Sequence, residues 1–216
     1  MNSIDRLGEL GVVPVVKIDR ASDGPDLARA LMEGGLPCAE ITFRTNAAEE
    51  AIRLIHAAQP EMLVGAGTVL TVPQAEQAVA AGARFIVSPG FDPKVVDWCL
   101  ARNMPIIPGI ATSTEALMAM DRGLNVLKFF PSEILGGTAM LEAISAALVG
   151  IKFLPTGGIS LANMAAYLQL RFVHAVAGSW LATSKMITAG AFADITRLTR
   201  EAVAVVGRVR SYGGEP

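Results

Sequence analysis

The sequence predicts an α/β chain: a single (β/α)8 TIM barrel over residues 1–216, with an extra helix ahead of the first strand. Three observations carry that expectation. Eight short apolar runs recur, starting roughly 20–26 residues apart. Segments with helical apolar spacing lie between them. No shift of composition divides the chain, and its 216 residues suffice for one sizeable core.

The opening M-N-S-I-D-R-L-G-E-L is amphipathic and acidic. It suits a helix over the barrel's N-terminal end and does not suit a basic, apolar-cored signal peptide. Val12–Ile18 is the first run, followed by a helical pattern over Asp26–Gly34 with Leu27, Ala30 and Leu31 on one face. Cys38–Phe43 is the second, followed by Ala47–Ala58, where Ala51, Leu54 and Ile55 align. Met62–Gly67 leads to Val72–Ala80, with Pro73 in a first-turn position. Arg84–Ser88 and Pro105–Gly109 come next, and Thr114–Met120 follows them. Asn125–Phe130 leads to Met140–Leu148, Ile151–Pro155 leads to Leu161–Leu168, and Val173–Gly178 is the last run. Gly34, Gly82 and Gly123 read as helix C-caps, and residues 210–216 as a loose tail.

This alternation predicts parallel strands covered on both faces. The competing arrangement is an open, doubly wound sheet. G-A-G-T after the third run lacks the third glycine of a dinucleotide loop, which favours the barrel.

Composition narrows the function classes. The chain is 52% hydrophobic and 18% charged, which argues against disorder. A net charge of −2 and a pI near 5.7 give no electrostatic footprint for nucleic acid or an anionic membrane. No apolar run is long enough to span a bilayer. Cys38 and Cys99 are far apart and make no disulfide framework, so a cytoplasmic setting is expected. His56 and His174 lack ligand spacing, and no metal is expected.

Strand periodicity points to the chemistry. Barrel active sites lie at the C-terminal ends of the strands. Glu40, Thr42 and Arg44 are two apart and share a face, while Ala39, Ile41 and Phe43 share the other. With the apolar face against helices, the polar trio points inward, either as a structural Glu–Arg pair or as a working cluster near the mouth. In N-V-L-K-F-F-P, Leu127 and Phe129 would meet helices, and Val126, Lys128 and Phe130 would face inward. Burial disfavours an ammonium relative to the neutral amine, and a neutral amine attacks carbonyls to form Schiff bases. Lys128 is therefore the candidate nucleophile, with Glu40 as acid/base. Lys152 starts its strand and should reach solvent at the opposite end. Lys17 reads equally as an anion contact at the mouth or as a solvated lysine, and Lys94 and Lys185 read as surface residues. After the last two strands, Thr156, Gly157 and Gly158, then Gly178 and Ser179, can present N–H groups to a phosphate. Ordinary turn chemistry is the alternative reading of both loops.

Taken together, G-A-G-T-V-L (Gly65–Leu70), S-P-G (Ser88–Gly90), I-P-G-I (Ile107–Ile110), K-F-F-P (Lys128–Pro131), P-T-G-G-I (Pro155–Ile159) and G-S-W (Gly178–Trp180) resemble the class I 2-keto-3-deoxy-6-phosphogluconate (KDPG) aldolases. These are also called 4-hydroxy-2-oxoglutarate aldolases. The likeness runs in order from about Val12 to Val203. It implies that Lys128 forms the Schiff base with pyruvate and that Glu40, in E-I-T-F-R-T, is the acid/base. It also implies that Arg44 and Thr68 hold the pyruvate carboxylate, that Pro89 and Phe130 line the pocket, and that Gly157, Gly158, Gly178 and Ser179 hold a substrate phosphate. Family members are typically homotrimers that need no metal or other cofactor. One departure stands out: S-E-I-L-G-G (Ser132–Gly137) replaces the usual A-E-A-N-G-G, so Ile134 and Leu135 could reshape that loop.

The expected activity is cleavage of 2-dehydro-3-deoxy-6-phosphogluconate to pyruvate and glyceraldehyde 3-phosphate. The alternatives are a related lyase for 4-hydroxy-2-oxoglutarate or 2-dehydro-3-deoxy-6-phosphogalactonate, and a non-catalytic phosphate-binding barrel. The last leaves Lys128 without a role.

Overall fold

Every apolar run contains a parallel strand, each shorter than its run. In this computed structural model, which describes residues 2–212, the strands are β1 (Val12–Val16), β2 (Cys38–Thr42), β3 (Leu63–Gly67), β4 (Ile86–Val87), β5 (Ile106–Ile107), β6 (Gly109–Ile110), β7 (Val126–Phe129), β8 (Lys152–Pro155) and β9 (Val176–Gly178). The fifth run divides at Pro108, which has no N–H to give a ladder. The segment before it pairs with β4 and the segment after it with β7. One sheet has the order β5-β4-β3-β2-β1-β9 and the other β6-β7-β8. Isolated bridges from Phe153 to Val173 and from Thr156 to Ala177 link β8 to the β9 segment. The result is a curled parallel sheet.

Helices alternate with the strands: α1 (Ser3–Leu10), α2 (Gly24–Glu33), α3 (Ala48–Ala58), α4 (Val72–Ala80), α5 (Pro93–Ala101), α6 (Ser113–Met120), α7 (Gly137–Ala147), α8 (Met164–Leu168), α9 (Ser184–Thr188) and α10 (Phe192–Tyr212). Side-chain caps fix several starts. Thr71 caps α4, Asp92 caps α5, and Thr112 with Glu115 forms a reciprocal capping box on α6. Gly82 and Gly123 take the expected left-handed conformation just past helix ends. At α2 the left-handed residue is Gly35, with φ 86°, and Gly34 remains right-handed. Gly34 is small for a different reason: a Cβ there would lie 2.4 Å from the Thr199 methyl. The tail also needs correction. Residues 210–212 continue α10, whose Arg210 guanidinium bonds to the Gly8 and Glu9 carbonyls, and residues 213–216 lie outside the described region.

The predicted division of strand faces holds for β2. Ala39 and Ile41 pack with Val64, Leu27, Leu31, Ile52 and Ile55 in an apolar layer between strands and helices. Glu40 and Thr42 point the other way and are fully buried. No helix among the described residues is long and apolar enough to cross a membrane.

Candidate active site

The site lies where the β2 and β7 side chains meet inside the curled sheet. Lys128 Nζ is 3.3 Å from Glu40 Oε1, with side-chain exposures of 4% and 0%. The two residues are 88 positions apart in sequence. Neighbouring strands leave room for them. Glu40 is level with Gly65 of β3, and Lys128 is level with Gly109 of β6. The Glu40 carboxylate occupies the space a side chain at Gly67 would need, because a Cβ there would lie 2.0 Å from Oε1. The Phe85 ring fills the corresponding space at Gly65. Glu40 Oε2 is buried with no protein partner among the described residues, so the carboxylate keeps one oxygen free to accept a hydrogen bond.

Phe130 roofs this pair, with Lys128 Nζ 5.5 Å from its ring centroid. Above it opens a cavity of about 400 Å³ lined by Lys17, Thr42, Arg44, Phe130, Thr156, Gly157, Gly158, Gly178 and Ser179, among others. Lys128 and Glu40 are not in that lining. They sit one step further in, two residues before Phe130 and Thr42 on the same strand faces.

Arg44 stands exposed at the mouth and donates from Nε to Thr68 Oγ1 at 3.2 Å. Thr68 has φ 54°, a left-handed conformation unusual for a branched residue and typical of functional positions. Thr68 is thus tied to the cavity through Arg44, although it does not line it. Pro89 does not line it either, and its carbonyl group packs over Gly109.

At the far end of the cavity, Gly157 and Gly158 have φ of 93° and 82°, which only glycine adopts without strain. Gly178 and Ser179 end β9 beside them. Lys17 lines the same wall and pairs with Asp19 at 2.6 Å. Asp19 also accepts from the Ser184 hydroxyl. The hydrogen bond from the Lys17 ammonium, then that from Ser184, holds the Asp19 carboxyl below its ordinary value. Thr183 and Ser184 at this rim, and Asp19 bonded to Lys17 and Ser184, lie outside the sequence expectation. The available signal was the spacing K-I-D at the end of β1 and the T-S helix start of α9, where Thr183 caps the helix.

The other lysines fall where expected. Lys94, Lys152, Lys185 and His56 are exposed. His174 lies before β9, half-buried, with Nε2 2.7 Å from the Ile4 carbonyl of α1.

A buried amine beside a carboxylate, below a cavity with an arginine at its mouth and a glycine loop at its far wall, is equipment for imine chemistry on an anionic carbonyl compound. Known proteins agree with that class. The family model for aldolases, described as KDPG and KHG aldolase, matches residues 4–198. A 2-dehydro-3-deoxy-phosphogluconate aldolase of Treponema pallidum (strain Nichols) is 49% identical, over 94% of this chain and 97% of that one. The KDPG aldolase of Legionella pneumophila, solved with pyruvate captured as a covalent carbinolamine intermediate, superposes with a TM-score of 0.89. It is 38% identical, over 92% of this chain and 97% of that one. The Zymomonas mobilis ZM4 aldolase solved with 3-phosphoglycerate gives 0.86 at 36% identity, over 94% and 95%. The chain belongs to the KDPG and KHG aldolase family.

Proposed function

We propose that this chain is a Schiff-base aldolase that cleaves 2-dehydro-3-deoxy-6-phosphogluconate to pyruvate and glyceraldehyde 3-phosphate. The observation that carries this reading is the buried Lys128–Glu40 pair beneath a cavity bounded by Arg44 and Gly157–Gly158. Glu40 takes a proton from Lys128 across 3.3 Å, leaving a neutral amine. The amine attacks the C2 ketone, and Glu40 moves the protons that carry the carbinolamine to the imine with loss of water. Glu40, again a carboxylate once water has left, takes the C4 hydroxyl proton that it later returns to C3, and the C3–C4 bond breaks. Its electrons pass into the imine, and glyceraldehyde 3-phosphate leaves. The enamine is protonated at C3, and hydrolysis frees pyruvate and Lys128.

Arg44 gives the substrate carboxylate a charge-assisted contact that fixes the ketone against the amine. Thr68 orients Arg44, and Gly157, Gly158, Gly178 and Ser179 receive the phosphate, with Lys17 nearby. The Legionella and Zymomonas relatives, with pyruvate and 3-phosphoglycerate respectively, support the two ends of this assignment. The test is reduction with borohydride in the presence of pyruvate, followed by peptide mapping. A pyruvate adduct on Lys128 is expected, and active protein with no adduct there overturns the mechanism.

The two sheets are read as one closed (β/α)8 ring forming a single domain, with α1 as an added N-terminal helix. Support comes from the β8–β9 bridges and from β5 and β6 being separated only by Pro108. Family resemblance adds a homotrimer, to be tested as a solution mass three times the 22.6 kDa of the chain. The two buried, unpaired thiols of Cys38 and Cys99 suit a reducing cytoplasm.

A further inference from the structure

Behind the glycine loop lies a hydrogen-bonded chain that the mechanism does not use. Ser132 Oγ donates to the Tyr167 hydroxyl at 3.1 Å, and the Tyr167 hydroxyl donates to Glu133 Oε1. Ser132 and Tyr167 are buried, at 0% and 1% exposure. Burial, and then the Glu133 carboxylate, pushes the Tyr167 hydroxyl up to about 12, so it remains a donor throughout the working pH range. Ser132 and Glu133 belong to the segment in which this chain departs from its family pattern. There Ile134 points into solvent at 85% exposure while Leu135 packs on the core.

The residues that carry this chain also hold the backbone of the loop, through main-chain N–H groups and the Asn163 side chain. Ser132 N donates to the Thr156 carbonyl at 2.8 Å, and Glu133 N to the Gly157 carbonyl at 3.1 Å. Asn163 Nδ2, from the start of the helix that carries Tyr167, donates to the Gly158 carbonyl at 3.0 Å. The Glu133 side chain lies over Gly158, where a Cβ would be 2.4 Å from Glu133 Cγ. In a trans peptide the carbonyl and the next N–H point in opposite directions. Three carbonyls held from behind therefore turn the N–H groups of Gly157, Gly158 and Ile159 away from their holders, and all three residues line the cavity. The tyrosine also ties down the Glu133 carboxylate, which is not among the residues lining the cavity.

From this geometry we propose that Tyr167, acting through Glu133 and Ser132, is a positioning residue that aims the Thr156–Gly158 loop at a phosphate and so sets the preference for phosphorylated over unphosphorylated keto acids. This rests on the phosphate role given to that loop above, and the two fail separately.

The experiment compares kcat and KM for 2-dehydro-3-deoxy-6-phosphogluconate and 4-hydroxy-2-oxoglutarate in wild type, Tyr167→Phe, Ser132→Ala, Glu133→Ala and Glu133→Gln. Wild type should prefer the phosphorylated substrate, and equal kcat/KM for both overturns the phosphate role of the loop. Tyr167→Phe, which removes one oxygen, should lower that preference about fivefold, consistent with one net hydrogen bond, and should do so through KM. Ser132→Ala should shift it in the same direction, and Glu133→Gln, which keeps an acceptor oxygen, should recover most of what Glu133→Ala loses. Equal losses on both substrates in Tyr167→Phe, or no loss on either, overturns the positioning role.

Discussion

Lys128 and Lys152 lie on adjacent strands, each inside an apolar run, and end in opposite environments. Lys152 pairs in register with Val126, and Lys128 with Leu154 two residues further along. That short distance separates the two ends of the sheet. Lys152 opens β8 and is exposed, near His174 and Arg210. Its long stem can lie along apolar surface while its ammonium stays in water. Lys128 has no such exit, being 3% exposed and enclosed by Glu40 and Phe130. Height along the strand, not the oiliness of sequence neighbours, separates the buried, paired lysine from the solvated one.

The contrast can be broken experimentally. The largest effect is expected for Lys128→Ala, a loss of about 10³-fold or more in pyruvate release, because the covalent route disappears. Lys152→Ala, measured beside it, should leave activity and stability nearly unchanged, and comparable losses in both would end the distinction. Glu40→Gln keeps the side chain's shape and removes its proton acceptor, so kcat should fall about 10²-fold in steady-state assays. Arg44→Ala should raise KM about tenfold with a smaller change in kcat, and should weaken competitive inhibition by pyruvate to a similar degree.

The smallest effect belongs to the opposite end of the sheet. Burial lowers the His174 pKa below its ordinary value, against the opposing hydrogen bond to Ile4. The unfolded chain then binds the proton more readily than the folded one. This contribution to stability is complete above about pH 6.5 and is lost as pH falls toward the folded value, with a slope no steeper than about 1.4 kcal/mol per pH unit. Urea unfolding at several pH values should show that slope shrink in His174→Gln, and an unaltered slope would remove His174 as its source.

Much of this was legible from period and position. Alternation by two placed Glu40, Thr42 and Arg44 on one face because helices cover the other. Regular spacing placed a parallel strand in each of the eight runs, and the fifth run holds two. What escaped had no local signature. The fifth strand changes partners at Pro108, a matter of three-dimensional register. The depth of Lys128 below the cavity lining, and the seating of Pro89 against Gly109, depend on how strands stack across the interior. The Asp19–Ser184 contact joins segments 165 residues apart. Residues 210–212 looked like a polar tail, but Arg210 finds the free carbonyls at the end of α1 and extends α10.

Gly67 places a limit on anyone who would remodel this enzyme. The obstacle to a larger residue there is the Glu40 side chain, from Cγ to Oε1, and not the backbone. Alanine at 67 would therefore push the buried carboxylate off the lysine, which should cost stability as well as activity. The G-A-G-T stretch, which resembles a fragment of a nucleotide loop, is better described as an exclusion zone: one strand forgoes a side chain so that its neighbour can keep a charged one in place.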